Sequence, residues 1–543
     1  MTRFHKFRAE WALELALVGL MLGFRAALLT QAAFPLHADE AVVLLMARHI
    51  LRGARPVFFY GQAYMGSLDA YLVAGAFALF GEGLAVARAV QLGLYAALLL
   101  LTAWGLRRLW APRPARLALL YLAVPPVLLT IYSTVTLGGY NEALLLGTAG
   151  LVGLGVMGLG DDSAQAGRRG LLLGLLAGLG AWVLALSWVY LLPAGLAALR
   201  HWWRRGRAVA LSGLLATALG AGLGLAPVWI FVARHGWAPL LAESPTRAFP
   251  HFAHPWWRGI PWHGVMLVFA GWPVVAGLRV PWEWTPRAAW PVVGLVLALH
   301  AAAWAAWVRM RARVPARVWW GVTGVVLTNA LLFVFTPYGG DPTGRYFLPW
   351  AHAQAVVLAG GLTLLGRGRA RRAAVLGLAA LVLVHAGVTG RAARAPGGLS
   401  PVFAAELRAD LADQERLRDF LLAHDLPTGY TTYWVAYPLA FLSHERLQYS
   451  PRLPYHRDLR YTPRDDRIPA YTRTAACAPR VAYVTFVAQA ELNRRLRSGL
   501  DRAGVTWREA EVGAYRVFYD LSRPIAPWDL GLSPPSEGVT CGQ

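Results

Sequence analysis

The sequence predicts a polytopic α-helical membrane protein of about eleven spans with a C-terminal extracytoplasmic α/β domain. Three observations predict it. Runs of about 20 apolar residues recur from Leu13 to about Val388, the length a bilayer core requires of a helix. Short arginine-rich clusters separate those runs. After RAARAPGGLSP the composition turns mixed and polar through to the end of the 543 residues.

The chain is 57% hydrophobic and only 15% charged, where a soluble chain would carry nearer a quarter. The net charge of +23 is unevenly placed: residues 400–543 carry a balance of +1, so almost all of the excess lies in the apolar part. That is the positive-inside pattern, and it argues against nucleic-acid binding.

The clusters TRFHKFR, RRLWAPRPAR (107–116), GRR (167–169), RHWWRRGR (200–207), VRMRARVPAR (308–317) and RGRARR (367–372) set the threading if all face the cytoplasm. The N-terminus is then cytoplasmic. Trp11–Ala33 is a retained first span, long for a signal-peptide core and without a clear small-residue cleavage site. Further spans follow at about 88–106, 117–136 and 142–159, as a hairpin of two within 170–199, and at 208–233, 288–307, 318–336, 346–365 and 373–390. Trp262–Leu278 is read as a short re-entrant or interfacial element, because two crossings between His235 and Arg309 would put VRMRARVPAR outside. Counting it as a crossing gives twelve spans. Residues 1–399 thus form the transmembrane domain, with interfacial helices in the outer loops 34–87 and 235–287.

Residues 400–543 read as a small extracytoplasmic α/β domain. AELRADLADQERLRDFLLAH and ELNRRLRSGLDRAG have helical spacing, GYTTYWVAY and RVAYVTFV read as strands, and WREAEVGAYRVFYDL as a closing hairpin. Cys477 and Cys541, the only cysteines, are compatible with a disulfide in an oxidising compartment and equally with two separate thiols.

The candidate chemistry lies at the outer ends of the spans. Asp39 and Glu40, in FPLHADEAVVLLMARHILRG, sit side by side where span one ends; adjacent helical positions point about 100° apart, so one acid can face a cavity while the other caps the helix. Glu142 opens the fourth span in LGGYNEALLLG. In PYGGDPTGRYFLPW, Asp341, Arg345 and Tyr346 lie at the mouth of a later hairpin, and an arginine fork beside glycine backbone suits a phosphate. TRAFPHFAHPWWRGIPWHG contributes Arg258 and His263 as further phosphate candidates. Tyr64, with Glu40 and Asp341, is a secondary candidate. Each also has a reading without chemistry: helix-start acids, a snorkelling arginine, an aromatic belt.

Taken in order, HADEAVVLLMARHILRG, YMGSLDAYLVAGAFALFGEGLAVARAVQLG and GRYFLPWAHA resemble segments of the GT-C glycosyltransferases. The match is to the bacterial family-39-like branch, which includes protein mannosyltransferases and lipid A aminoarabinose transferases. The resemblance spans residues 11–365. It implies an inverting transferase that moves a sugar from a polyprenyl-phosphate donor to a hydroxyl acceptor (lipid, glycan or protein) on the outer side of a bacterial cytoplasmic membrane. It implies Asp39 as base or acceptor-positioning group, Glu142 as a second acid, and Arg345 with Tyr346 at the donor phosphate. A divalent cation (Mg or Mn) at Asp39 and Glu142 is compatible with this reading, though no ligand cluster specifies it. Relatives often carry a basic residue and two prolines where this chain reads AYMGSLDAY, which leaves the phosphate to Arg345, Arg258 or His263. The alternatives are a transporter or flippase for a lipid-linked saccharide, and a polysaccharide polymerase or ligase.

Overall fold

A computed structural model describes residues 2–242, 255–281, 283–341, 343–364, 368–402 and 404–535. Within them the chain forms two compact units.

The first unit, residues 1–31, 64–69 and 85–393, is helical. Eight of its helices are long and apolar enough to cross a membrane: Trp11–Thr30, Leu84–Leu109, Tyr140–Met157, Arg207–Gly224, Trp290–Arg309, Ala316–Val334, Arg345–Leu364 and Arg369–Ala393. The protein is therefore a multi-pass membrane protein. Arg345–Leu364 is the central helix, 83% buried where the other seven range from 22% to 44%. The expected span 117–136 is broken into Pro112–Ala123 and Val127–Tyr132. Pro125 and Pro126 remove helix donors, and each proline drives its predecessor out of the helical region. The expected hairpin in 170–199 is the pair Ser163–Val183 and Trp188–Arg205.

Small residues let helices of this unit approach closely. A Cβ on Gly174 would lie 2.0 Å from the Thr217 carbonyl, and one on Gly170 2.2 Å from that of Gly213. Glycines four apart on Ser163–Val183 thus seat the backbone of Arg207–Gly224, the usual device where lipid tails give helices no hydrophobic reason to associate. The charged groups of span one are engaged, though not at every atom, inside the unit. Glu14 pairs with Arg107 and Arg116, and Arg25 donates to the Thr130 carbonyl while lying 4.4 Å from the Tyr95 ring centre. The element expected at Trp262–Leu278 is a helix, Ile260–Met266, continued by one π-turn and a last turn at Trp272–Val275.

The second unit joins residues 394–543 to two stretches of the segment between the first two long helices, 32–63 and 70–84. That segment supplies helix Ala38–Leu51 and a short strand β1 (Phe58–Phe59); β2 (Gln62–Gly66) follows at the boundary of the stretch. The C-terminal part is an α/β layer with β3 (Thr428–Thr431), β4 (Gln448–Ser450), β5 (Ala482–Phe486), β6 (Arg508–Val512) and β7 (Tyr515–Tyr519), in spatial order β4-β3-β5-β7-β6. β4, β3 and β5 are parallel, and β7 and β6 close the sheet as an antiparallel hairpin turned at Gly513. The parallel strands are buried on both faces, as helix-covered strands must be. Helices Leu411–Ala423 and Ala490–Arg502 fall where their periodicity predicts. GYTTYWVAY divides: the strand stops at Thr431 and a buried helix runs from Tyr433 to Leu442. An apolar run buried on all sides has no period to separate the two states. Cys541 lies outside the described residues.

Candidate active site

In the second unit, His37 caps helix Ala38–Leu51 from an extended conformation, its Nδ1 accepting the Asp39 N–H at 3.1 Å. Burial holds the His37 imidazole neutral, against the pull of Asp39 and Glu40. Because Nδ1 accepts that bond, its 3.6 Å approach to Asp39 Oδ2 is no ion pair. The other oxygen, Oδ1, accepts a hydrogen bond from the Tyr433 hydroxyl. Asp39 is thus held by one oxygen while its side chain stays 34% exposed. Its neighbour Glu40 is fully buried. Helix geometry has divided the pair, one acid packed inward and one presented.

Tyr433 is the first residue of the helix that follows β3. Burial and the Asp39 charge push its phenol well up, so it stays protonated and donates to Asp39. The Arg467 guanidinium lies 5.5 Å from the Tyr433 ring centre and 5.7 Å from that of Phe59, and Arg467 donates to the Gly61 carbonyl at 2.9 Å. Asp465 is buried beside these groups. Burial raises its carboxyl to about 6, against Arg467 and Arg464, and the Asp39 charge adds to the rise. On the same helix as Asp39, Arg48 and His49 bond Glu445, as does Arg52 at the helix's C-cap. Burial works against ionising Glu445, but the His49 and Tyr471 bonds and the Arg48 charge outweigh it and hold the carboxyl at about 2.

In the first unit, Glu142 lies in the first turn of Tyr140–Met157, which Gly139 enters at φ +90°. Both carboxylate oxygens are shielded from solvent without a hydrogen-bond partner of normal geometry, and Asp69 and Gln91 stand beside them. Asp69 is fully engaged. Its Oδ1 accepts from Gln91 at 2.8 Å, and its Oδ2 from Thr136 and from the Gly138 N–H at 3.1 Å. Asp69 therefore fixes the loop that delivers Glu142.

Arg345 follows Gly344, which sits at φ +85° so close to Val274 that a Cβ would meet it at 2.7 Å. The Arg345 Nη2 is 2.6 Å from Asp341 Oδ2, and the guanidinium lies 5.1 Å from the Tyr346 ring centre. Asp341 in turn caps its own loop by accepting the Thr343 N–H. Tyr338 packs 4.8 Å from Tyr346 and also neighbours Tyr64. Tyr132 and Tyr140 complete the surroundings, Tyr140 being the first residue of the helix that carries Glu142. Arg279 is a second arginine nearby, within the field of Glu283 first and of Asp341 after it.

The remaining candidates, also in the first unit, pack on the turn Pro337–Gly340 that precedes Asp341. Arg258 is exposed on the turn Trp256–Gly259. His263 is buried, its Nδ1 3.0 Å from the Val334 carbonyl, and it packs against Gly339. Residues 246–254 of the His/Trp-rich segment lie outside the described residues. Among the described residues no group of three or more His, Cys, Asp or Glu side chains is arranged to hold a metal ion. Sequence reasoning passed over Asp69, Arg279, Tyr433, Asp465 and Arg467. Of these only Asp69 carried a signal, an acid opening an apolar helix.

The fold is similar to that of ArnT from Cupriavidus metallidurans in the apo state, with a TM-score of 0.57 and 12% identity over 96% of this chain and 100% of that one. Weaker likenesses are to the same ArnT bound to undecaprenyl phosphate (TM-score 0.47, 13% identity, 96% and 99% covered) and to the oligosaccharyltransferase AglB from Archaeoglobus fulgidus in complex with an inhibitory peptide and a dolichol-phosphate (TM-score 0.46, 12% identity, 96% and 75% covered). No family model and no curated protein sequence matches the chain.

Proposed function

We propose that the protein is an inverting glycosyltransferase that moves a sugar from a polyprenyl-phosphate donor to a hydroxyl acceptor. The observation that carries the reading is the whole-chain likeness to ArnT, an aminoarabinose transferase. The chemistry follows from the residues. Asp39 takes the proton of the acceptor hydroxyl as its oxygen bonds the anomeric carbon. The bond from that carbon to the phosphate oxygen breaks, and its electron pair leaves on the polyprenyl phosphate. Arg345 bears on the charge that develops there, its second ring of contacts supplied by Tyr346 and Tyr338. Glu142 is the second acid. The positive-inside distribution supports a cytoplasmic N-terminus in a bacterial inner membrane, with the transfer and the C-terminal domain on the outer side. Glu14 and Arg25, the ionisable groups of span one, are engaged in internal bonds, which favours an enzyme over a transporter.

The test is transfer from a labelled undecaprenyl-phosphate sugar by membranes carrying the protein. Transfer is expected for the wild type and a loss of about 100-fold or more for Asp39→Asn. Full activity in that variant would sink the assigned role of Asp39.

A further inference from the structure

In open α/β sheets, ligands lie outside the carboxyl ends of the parallel strands. Here that edge is the one from which Tyr433 reaches Asp39. Tyr433 follows the end of β3 by two residues, and Arg452 follows the end of β4 by two. The segment 461–467, between β4 and helix Pro469–Ala476, lies along the same edge. The Arg452 guanidinium is 5.4 Å from the Tyr461 ring centre, and its Nη2 is 3.7 Å from Asp466 Oδ2. Asp465 neighbours both Tyr461 and Asp39.

Four polar atoms along this edge are shielded from solvent and have no hydrogen-bond partner among the described residues: Thr432 Oγ1, Tyr461 Oη, Asp465 Oδ2 and Asp466 Oδ1. Asp465 as a whole is 96% buried, being only 4% exposed. Leaving one such group unpaired is costly, and four together call for a polar ligand that supplies several donors and acceptors. Three carboxylates (Asp39, Asp465, Asp466) lie among guanidiniums (Arg452, Arg464 and Arg467, with Arg473 also acting on Asp466), so charges of both signs are interleaved along the edge. Tyrosine faces with interleaved carboxylates and arginines suit hydroxyl groups on a carbon ring.

We propose that the carboxyl edge of β4-β3-β5 binds a neutral, hydroxyl-rich head group, the acceptor, and presents it at Asp39. The inference rests on the transferase reading only in calling that ligand the acceptor, so it is tested by binding, without turnover.

The full chain in phosphatidylcholine nanodiscs is probed by saturation-transfer NMR with methyl β-glucoside, and with glucose 6-phosphate as the anionic counterpart. The variants are Tyr461→Phe and Asp465→Asn. Tyr461 Oη makes no internal bond, so Phe removes nothing the fold uses, and the thermal midpoint is expected to hold. The expected result is transfer to methyl β-glucoside but not to the phosphate, at least fivefold weaker in both variants at an unchanged midpoint. Displacement of the probe by monoglucosyl diacylglycerol in the bilayer identifies a lipid-borne head group, and displacement by soluble maltotriose a soluble glycan; either supports the site. Equal signals in wild type and both variants, preference for the phosphate, or loss only where the midpoint also falls would overturn it. Binding at the edge with no sugar transfer in membranes would instead retire the transferase reading and leave the site standing.

Discussion

Tyr433 donates its hydroxyl to the Asp39 carboxylate across 394 positions of sequence. The C-terminal domain therefore sets the orientation of an acid that follows the first long helix. A carboxylate with one oxygen pinned and the other free is oriented for proton transfer, and one that swings between rotamers is not.

Tyr433→Phe deletes the donor and keeps the ring that stacks under Arg467. The turnover number of the transferase is expected to fall about tenfold with KM for the donor unchanged, since the loss falls on the orientation of the base and not on ground-state binding. A rise in donor KM at constant turnover would mean that Tyr433 belongs to donor binding.

Glu142 and Asp69 are adjacent acids with opposite expectations. The Asp69 oxygens accept from Gln91, Thr136 and Gly138. Asp69→Asn turns an amide donor toward one of those donors and is expected to lower stability by about 1–3 kcal/mol. The Glu142 oxygens, beside Asp69 and Gln91, have no hydrogen-bond partner of normal geometry. Glu142→Gln is expected to leave the unfolding midpoint within a few degrees while transfer falls roughly 100-fold. Thermal unfolding and transfer, measured on both variants, separate the two roles; a Glu142→Gln protein that is unstable yet active would reverse them.

The transmembrane helices were legible because hydropathy over some 20 residues is a local property, and the order of basic clusters orients them. The site was legible only where its residues sit in short, continuous segments. Asp39 and Glu40 are adjacent, and Asp341, Arg345 and Tyr346 lie within six positions, so sequence proximity stands in for spatial proximity. Tyr433, Asp465 and Arg467 act through contacts that span hundreds of residues, and a buried YWVAYPLAFL has no period to mark even its helix. The break at Pro125 and Pro126 was written in the sequence, but the apolar run around it outweighed two prolines, which membrane helices often tolerate.

Arg345 combines an ion pair to Asp341 with a face on Tyr346, and both depend on the planar guanidinium. Arg345→Lys keeps the charge and loses the fork and the stacking face. Donor KM is expected to rise about tenfold in Arg345→Lys and about 100-fold in Arg345→Ala, as titration with the undecaprenyl-phosphate sugar would show. Equal effects of the two substitutions would reduce Arg345 to a point charge.

Glu445 gives the second unit a pH signature. Arg48, His49, Arg52 and Tyr471 all converge on its carboxylate, whose value falls from 4.5 to about 2 on folding. A group depressed in the folded state adds stability that is fully present above its unfolded value and is lost as pH falls through its folded one. The contribution is therefore intact at pH 7 and declines between about 4.5 and 2. Glu445→Gln leaves Arg48 and Arg52 without this partner and is expected to destabilise the protein by roughly 2 kcal/mol at pH 7. The gap between wild type and variant should then narrow steadily below pH 4.5. Unfolding midpoints measured by fluorimetry at pH 7, 5, 4 and 3 check both the size and the direction. A gap that stays constant with pH would mean that Glu445 acts by shape and not by charge, because a packing difference does not titrate.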